Sequence, residues 1–64
     1  MTNTENVKAE MLRQADWLQG RAELALDQAE EASKEGDSAY AAELNDKSDT
    51  LARKARSIRA AAAL

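Results

Sequence analysis

The sequence contains no cysteine, no histidine, no proline and no phenylalanine. Without cysteine the chain has no disulfide framework, no thiolate nucleophile and no thiolate ligands for zinc. Without histidine it lacks the imidazole base of most acid–base catalysis and the commonest metal ligand. Its carboxylates are numerous, but they are expected on solvated faces with no cleft on which to converge. We therefore predict that the protein is not an enzyme and has no cofactor, no metal ion and no small-molecule substrate.

Large apolar side chains are also scarce. Hydrophobic residues make up 44% of the 64-residue chain, but 15 of these 28 residues are alanine. So few large side chains give a chain of this length a marginal core, which indicates disorder or a core shared with a second copy. No apolar run approaches the length of a membrane span, and no signal-peptide pattern starts the chain. A cytoplasmic location without membrane contact is therefore expected.

Charge is distributed unevenly along the chain. Nine basic and twelve acidic residues give a net charge of -3, which argues against sequence-independent coating of nucleic acid. Residues 23–49 contain nine acids and two bases, whereas residues 50–64 contain four bases and no acid. If the chain folds back on itself, one end is therefore acidic and the other end is neutral to basic.

The lack of proline and the presence of only two glycines permit long helices. Thr2 and Glu5 have the spacing of a capping box, with Thr4 as a competing N-cap. Alanine, leucine, glutamate, glutamine and lysine, which follow in quantity, all have high helix propensity. The pattern predicts a first helix over about residues 4–35.

A short connection separates this helix from a second one. Gly36 suits the left-handed position after a helix end, and Asp37 is a favourable N-cap for the next helix. The second helix is expected over about residues 38–60, with a frayed tail over 61–64. Because the connection at 36–37 is short, the two helices are predicted to be antiparallel neighbours in a single hairpin spanning residues 1–64.

The apolar residues of both helices follow a heptad with small residues at position a and mostly larger ones at position d. In the second helix these are Ala41, Ser48, Ala55 and Ala62 at a, with Leu44, Leu51 and Ile58 at d. In the first helix they are Ala15, Ala22 and Ala29 at a, with Met11, Leu18, Ala25 and Ala32 at d. Leu12 and Leu26, at position e, are expected to widen this stripe. The residues are interpreted as core, packed as an alanine-rich coiled coil.

A single hairpin of this kind buries only a thin seam, and its alanines gain little hydrophobic free energy each. Pairing two hairpins would close a four-helix bundle and bury about twice the area per chain. We therefore predict an all-α fold in which a helical hairpin forms an antiparallel four-helix bundle as a homodimer. The seam does not determine whether the turns of the two hairpins lie at the same end or at opposite ends.

Trp17 lies outside this seam. Arg13, Trp17 and Arg21 are spaced four residues apart, so they form one row along the first helix. The row is consistent with cation–π packing and nothing more, or with a platform for a nucleic-acid base flanked by arginines that hold phosphates. A third interpretation is that Trp17 is crowded against a neighbouring helix. Gly20 falls within this row in mid-helix, where it either permits close approach of a ligand or has no role.

The segment Leu44-Asn45-Asp46-Lys47-Ser48-Asp49-Thr50-Leu51-Ala52-Arg53 resembles the repressor-of-primer (Rop, or Rom) family of plasmid copy-number regulators. The family has Leu, Asp, Asp, Leu and Arg at the places of Leu44, Asp46, Asp49, Leu51 and Arg53. The same gapless register also matches Leu12, Ala15 and Leu26. The resemblance covers nearly the whole chain up to about Arg59, at low overall identity.

In this register the central phenylalanine of the family's RNA-binding face corresponds to Trp17. Its polar neighbours become Arg13 and Arg21, and the outer lysines of the family become Asn6 and Gln28, which are departures. The resemblance thus implies that Asn6, Arg13, Trp17, Arg21 and Gln28, here called the Trp17 face, bind structured RNA from both copies. It implies a protein that stabilises the loop–loop (kissing) complex of an antisense RNA with a primer RNA and lowers plasmid copy number.

A second function fits the same residues without RNA. Exposed tryptophans are frequent anchors of protein interfaces, and Leu24 lies one heptad beyond Trp17 on the same side. The alternative prediction is a small protein–protein interaction module that docks partners through the Trp17/Leu24 patch. The sequence does not identify the RNA or protein target, its affinity or the host replicon.

Overall fold

Two helices fill nearly the whole chain. The computed structural model describes the backbone of residues 2–64 and the side chains of residues 4–64. Helix α1 spans Thr2–Lys34 and helix α2 spans Ser38–Ala62, and the two pack along their length as a hairpin. The Cα trace is a rod of 54 × 13 × 10 Å. The prediction of an all-helical hairpin is therefore confirmed.

Neither α1 nor α2 within the described residues is long and apolar enough to cross a membrane.

The helix ends differ from expectation at two places. Thr4 lies inside α1, so it is not an N-cap, and the side chain of Thr2 lies outside the described residues. At the other end α2 continues to Ala62, two residues beyond its expected end. Alanine has the highest helix propensity, and Ala62 is buried, so the helix extends as far as its seam does.

The turn between the helices has the residues that its geometry requires. Gly36 adopts φ 83°, the left-handed conformation in which glycine has no steric penalty. The amide of Asp37 donates to the carbonyl of Ala32 (2.9 Å) and that of Gly36 to Ser33 (3.0 Å), a Schellman ending. The carboxylate of Asp37 then accepts from the amide of Tyr40 (3.1 Å) and caps α2. The roles predicted for Gly36 and Asp37 are confirmed.

The small residues at position a form the contact between the helices. All seven are at most 8% exposed: Ala15, Ala22, Ala29, Ala41, Ser48, Ala55 and Ala62. The larger residues at position d are covered less well, since Met11, Leu18, Leu51 and Ile58 are only half-buried. Of the large d residues, Leu44 is buried, in a cluster with three alanines beside the turn. The hairpin therefore has a seam of small residues and a row of larger ones that it does not cover.

The expectation that Leu12 and Leu26 widen the buried stripe is not met in the hairpin. They are 46% and 49% exposed, so they do not widen the buried stripe of the hairpin. The buried contact follows the small residues at position a, and these two leucines at position e remain exposed.

Candidate nucleic-acid interface

The five residues of the Trp17 face lie on α1, and all five are exposed. The rise of an α-helix places Asn6 and Gln28 about 33 Å apart, so the face follows most of the length of α1. None of the five belongs to the seam, because positions a and d carry the buried residues. The structure therefore leaves the whole face accessible in the hairpin.

Trp17 is 64% exposed, the largest apolar side chain on this surface. The guanidinium carbon of Arg21 lies 5.7 Å from the centre of its ring, within the range of a cation–π contact. Leu24, 48% exposed, lies two turns further along the same side. Trp17 is not crowded against α2 in the hairpin. It forms an apolar platform with a cation at its edge.

The two arginines of the face differ in their partners. Arg13 donates to Glu10 at 2.6 Å, and both side chains of this ion pair are about two-thirds exposed. An exposed pair of this kind contributes little, about 0.2–1 kcal/mol, so Arg13 can exchange it for another anion. Among the described residues Arg21 has no carboxylate within ion-pair distance. Arg21 is thus the cation of the face that is directly available to a phosphate.

Helix α2 adds a charge beside the face that sequence reasoning did not assign to it. Lys47 lines a shallow depression together with Arg21, Leu24 and Gln28. Both Lys47 and Arg21 occupy position g, and the antiparallel packing brings the two g positions to one edge of the helix contact. Because Lys47 and Arg21 share heptad position g, their proximity can be predicted from the sequence once the pairing of the two helices is known.

The two edges of the helix contact differ in how far they are covered. On the edge formed by e positions, here called the e edge, Gln19, Ala52 and Arg59 are half-buried in the middle of the hairpin, and Arg59 donates across the hairpin to Asp16 at 3.0 Å. Towards the two ends of the hairpin the same edge is exposed, at Leu12, Leu26 and Asn45. On the edge formed by g positions, the g edge, the residues between the two hairpin ends are all exposed: Gln14, Arg21, Gln28, Lys47 and Lys54. A groove lined by Leu18, Ile58 and Lys54 opens on this edge.

Gly20 lies within the Trp17 face, one turn after Trp17. It is exposed, and a Cβ atom placed on it would have no atom of a neighbouring side chain within 4 Å. In such a position glycine costs about 1 kcal/mol of helix stability relative to alanine. Neither packing nor a turn within the hairpin accounts for this glycine.

Two further ion pairs lie on the exposed surface of the helices. Arg53 pairs with Asp49 on its own helix at 3.5 Å, and Lys34 pairs with Glu31 at 3.7 Å near the turn. In the part of the chain that the structure describes, no three acidic side chains are grouped closely enough to hold a metal ion. The acidic turn end is a solvated surface.

Comparisons with protein-family models, with curated proteins and with solved structures find no match to this chain.

Proposed function

We propose that this protein is a Rop-like RNA-binding regulator that acts as a homodimer. It stabilises the loop–loop complex of an antisense RNA with a primer RNA and so lowers plasmid copy number. It acts in the cytoplasm through binding, without catalysis, cofactor or metal. The observation that carries the proposal is the exposed indole of Trp17 with Arg21 at its edge, on a surface that the alanine seam does not use.

The surface that one hairpin leaves uncovered supports the proposed homodimer. The chain exposes 4788 Å², whereas a compact monomer of 7.0 kDa exposes about 4,000 Å². The excess is close to the roughly 800 Å² that each partner buries in an interface of standard size. A second copy on the g edge would cover the half-buried residues Met11, Leu18, Leu51 and Ile58, and close an antiparallel four-helix bundle.

This arrangement also places the Trp17 face next to the second copy. Arg21 and Gln28 occupy the g edge themselves, so a partner docked there brings its own helices beside them. A two-fold symmetric protein then presents two Trp17 faces to an RNA complex built from two similar stem-loops. Recognition would rest on the shape and the phosphates of a bent A-form-like duplex.

The charge distribution supports selectivity for such a target. Residues 23–49 have a net charge of -7 from nine acids and two bases, and they surround the turn. The acidic end repels nucleic acid, while Arg13 and Arg21 on either side of Trp17 leave the exposed side of α1 permissive.

Substitution of Trp17 by alanine tests the proposal directly. We expect helicity by circular dichroism and dimerisation by sedimentation to remain unchanged, because the side chain is 64% exposed. Retention of a pair of RNA hairpins with complementary loops should fall by about ten- to a hundredfold in a gel-shift assay, the usual effect of losing a stacked aromatic. Trp17→Phe is the matched control and should retain most of the binding.

Two results would contradict the proposal. If Trp17→Ala unfolds, the indole belongs to a core that the hairpin does not reveal. If the wild-type protein does not retain the RNA pair over a linear duplex, the RNA-binding function is wrong. Indifference to every RNA would favour a protein-interaction module, for which the exposed Leu24 beside Trp17 is the supporting observation.

A further inference from the structure

Gly20 has no explanation within the fold. Its φ is not positive, unlike that of Gly36, so no turn requires it. No atom of α2 lies within 4 Å of the position that a Cβ atom of this residue would take, so close helix packing does not require glycine either. A glycine in the exposed middle of a 33-residue helix lowers the stability of that helix without any contact in return.

What Gly20 does provide is a notch in the surface beside Trp17. A helical side chain covers the turn that precedes its own Cα, so the missing side chain uncovers the backbone between Asp16 and Gly20. Trp17 belongs to this uncovered turn, and Arg21 follows Gly20 directly in sequence. A ligand that stacks on Trp17 can therefore approach the helix backbone more closely at Gly20 than at any residue bearing a side chain.

The charges around the notch indicate which part of an RNA fits there. The nearest preceding carboxylate, Asp16, is engaged by Arg59 across the hairpin at 3.0 Å. Arg21, which has no carboxylate within ion-pair distance among the described residues, offers its guanidinium to a phosphate. The exposed Glu23, one turn further along, offers an acceptor to a hydroxyl donor. Phosphates together with ribose hydroxyls line the wide minor groove of an RNA helix.

We infer that Gly20 is a specificity-determining residue whose notch receives the ribose–phosphate edge of the bound RNA. The inference rests on the proposed RNA-binding function and deepens it. In this arrangement the RNA backbone contacts the helix backbone at Gly20, between Trp17 and Arg21. A close contact of this kind explains why a destabilising residue occupies this position.

The test is a substitution whose effects on stability and on binding have opposite signs. Gly20→Ala should raise the thermal midpoint by about 4–8 °C, because alanine favours the helix. The same variant should bind the pair of complementary-loop RNA hairpins about tenfold more weakly, since the added methyl group crowds the contact. Gly20→Gln should weaken binding further while remaining helical.

A matched control separates the two effects. Asn45 lies at an exposed position of α2 and makes no side-chain hydrogen bond within the described residues. The substitution Asn45→Ala, like Gly20→Ala, gains helix propensity. It should raise the thermal midpoint and leave RNA binding unchanged. If Gly20→Ala binds as well as wild type, the notch has no role, although RNA binding itself stands. If Gly20→Ala lowers the thermal midpoint, the glycine serves the fold and the inference is equally overturned. Failure of the wild-type protein to bind would instead refute the proposed function.

Discussion

The two edges of the helix contact differ in the middle of the hairpin, whereas towards its ends both edges are exposed. On the e edge, side chains from both helices are half-buried, and Arg59 reaches across to Asp16. On the g edge, Arg21, Lys47 and Lys54 are exposed, and the apolar residues beside them are only half covered. The helices therefore pack closely along their small residues, whereas most of the larger residues at position d are only half-buried.

The sizes of the side chains explain this asymmetry. Alanine and serine at position a are small, so the two backbones approach closely and the position a residues of both helices are buried. Leu18, Leu51 and Ile58 at position d are too long to be covered by one facing helix. They remain available for a second copy.

The largest effect is expected where the g edge would meet the second copy. Leu18→Ala should lower the free energy of unfolding by about 2–5 kcal/mol if a partner buries Leu18, as for a leucine in a core. Leu12→Ala, on the e edge and 46% exposed, should change it by less than about 0.5 kcal/mol. Urea unfolding followed by circular dichroism gives both values.

Protein concentration provides the control for this pair. The unfolding midpoint of the wild type should rise with concentration, as for any folded dimer, and sedimentation should give twice the mass of one chain. Equal small losses for the two leucines, together with a midpoint independent of concentration, would show that no second copy covers the g edge.

A smaller effect is expected from enlarging the seam itself. Ala55 is completely buried between the helices, so Ala55→Leu should cost about 1–3 kcal/mol by overpacking. Ala60→Leu, exposed on the same helix, should leave the stability almost unchanged. Thermal unfolding distinguishes the two variants. Similar stabilities for both would mean that the seam is not the line of closest approach.

The smallest effect is expected at the polar residue of the seam. The hydroxyl of Ser48 donates to the carbonyl of Ala22 at 2.8 Å in a buried position. Ser48→Ala removes a hydrogen bond worth about 0.5–1.5 kcal/mol but gains helix propensity, so the net loss should stay below about 1 kcal/mol. Urea unfolding is again the measurement. A loss of several kcal/mol would show that this bond, rather than the alanines, sets the register of the helices.

Much of the hairpin was predictable because its signals are local. Gly36 and Asp37 mark the turn through backbone conformation and capping, which depend on neighbouring residues only. The buried set at position a follows from helical periodicity, which places every third or fourth residue on one side. The pattern predicts that α2 ends at about residue 60, two residues too early, because burial of Ala62 offsets the tendency of a helix end to fray.

Features that depend on how the helices pair were not predictable in the same way. Leu12 and Leu26 satisfy the apolar pattern, yet the helices meet along position a and leave them exposed. Lys47 lies beside Arg21 only because the antiparallel register joins their g positions. The bond between Ser48 and Ala22 likewise joins residues 26 positions apart.

The sequence by itself determined two long helices, the turn between them, the small-residue seam and the isolation of Trp17 from that seam. These are consequences of helix propensity, capping and a heptad repeat, each of which acts within a few residues. The tertiary structure decided how far each edge of the contact is covered, that Lys47 lies beside Arg21 and that Gly20 has no packing role. Those outcomes depend on distances between residues far apart in the chain, and only the packed helices determine such distances.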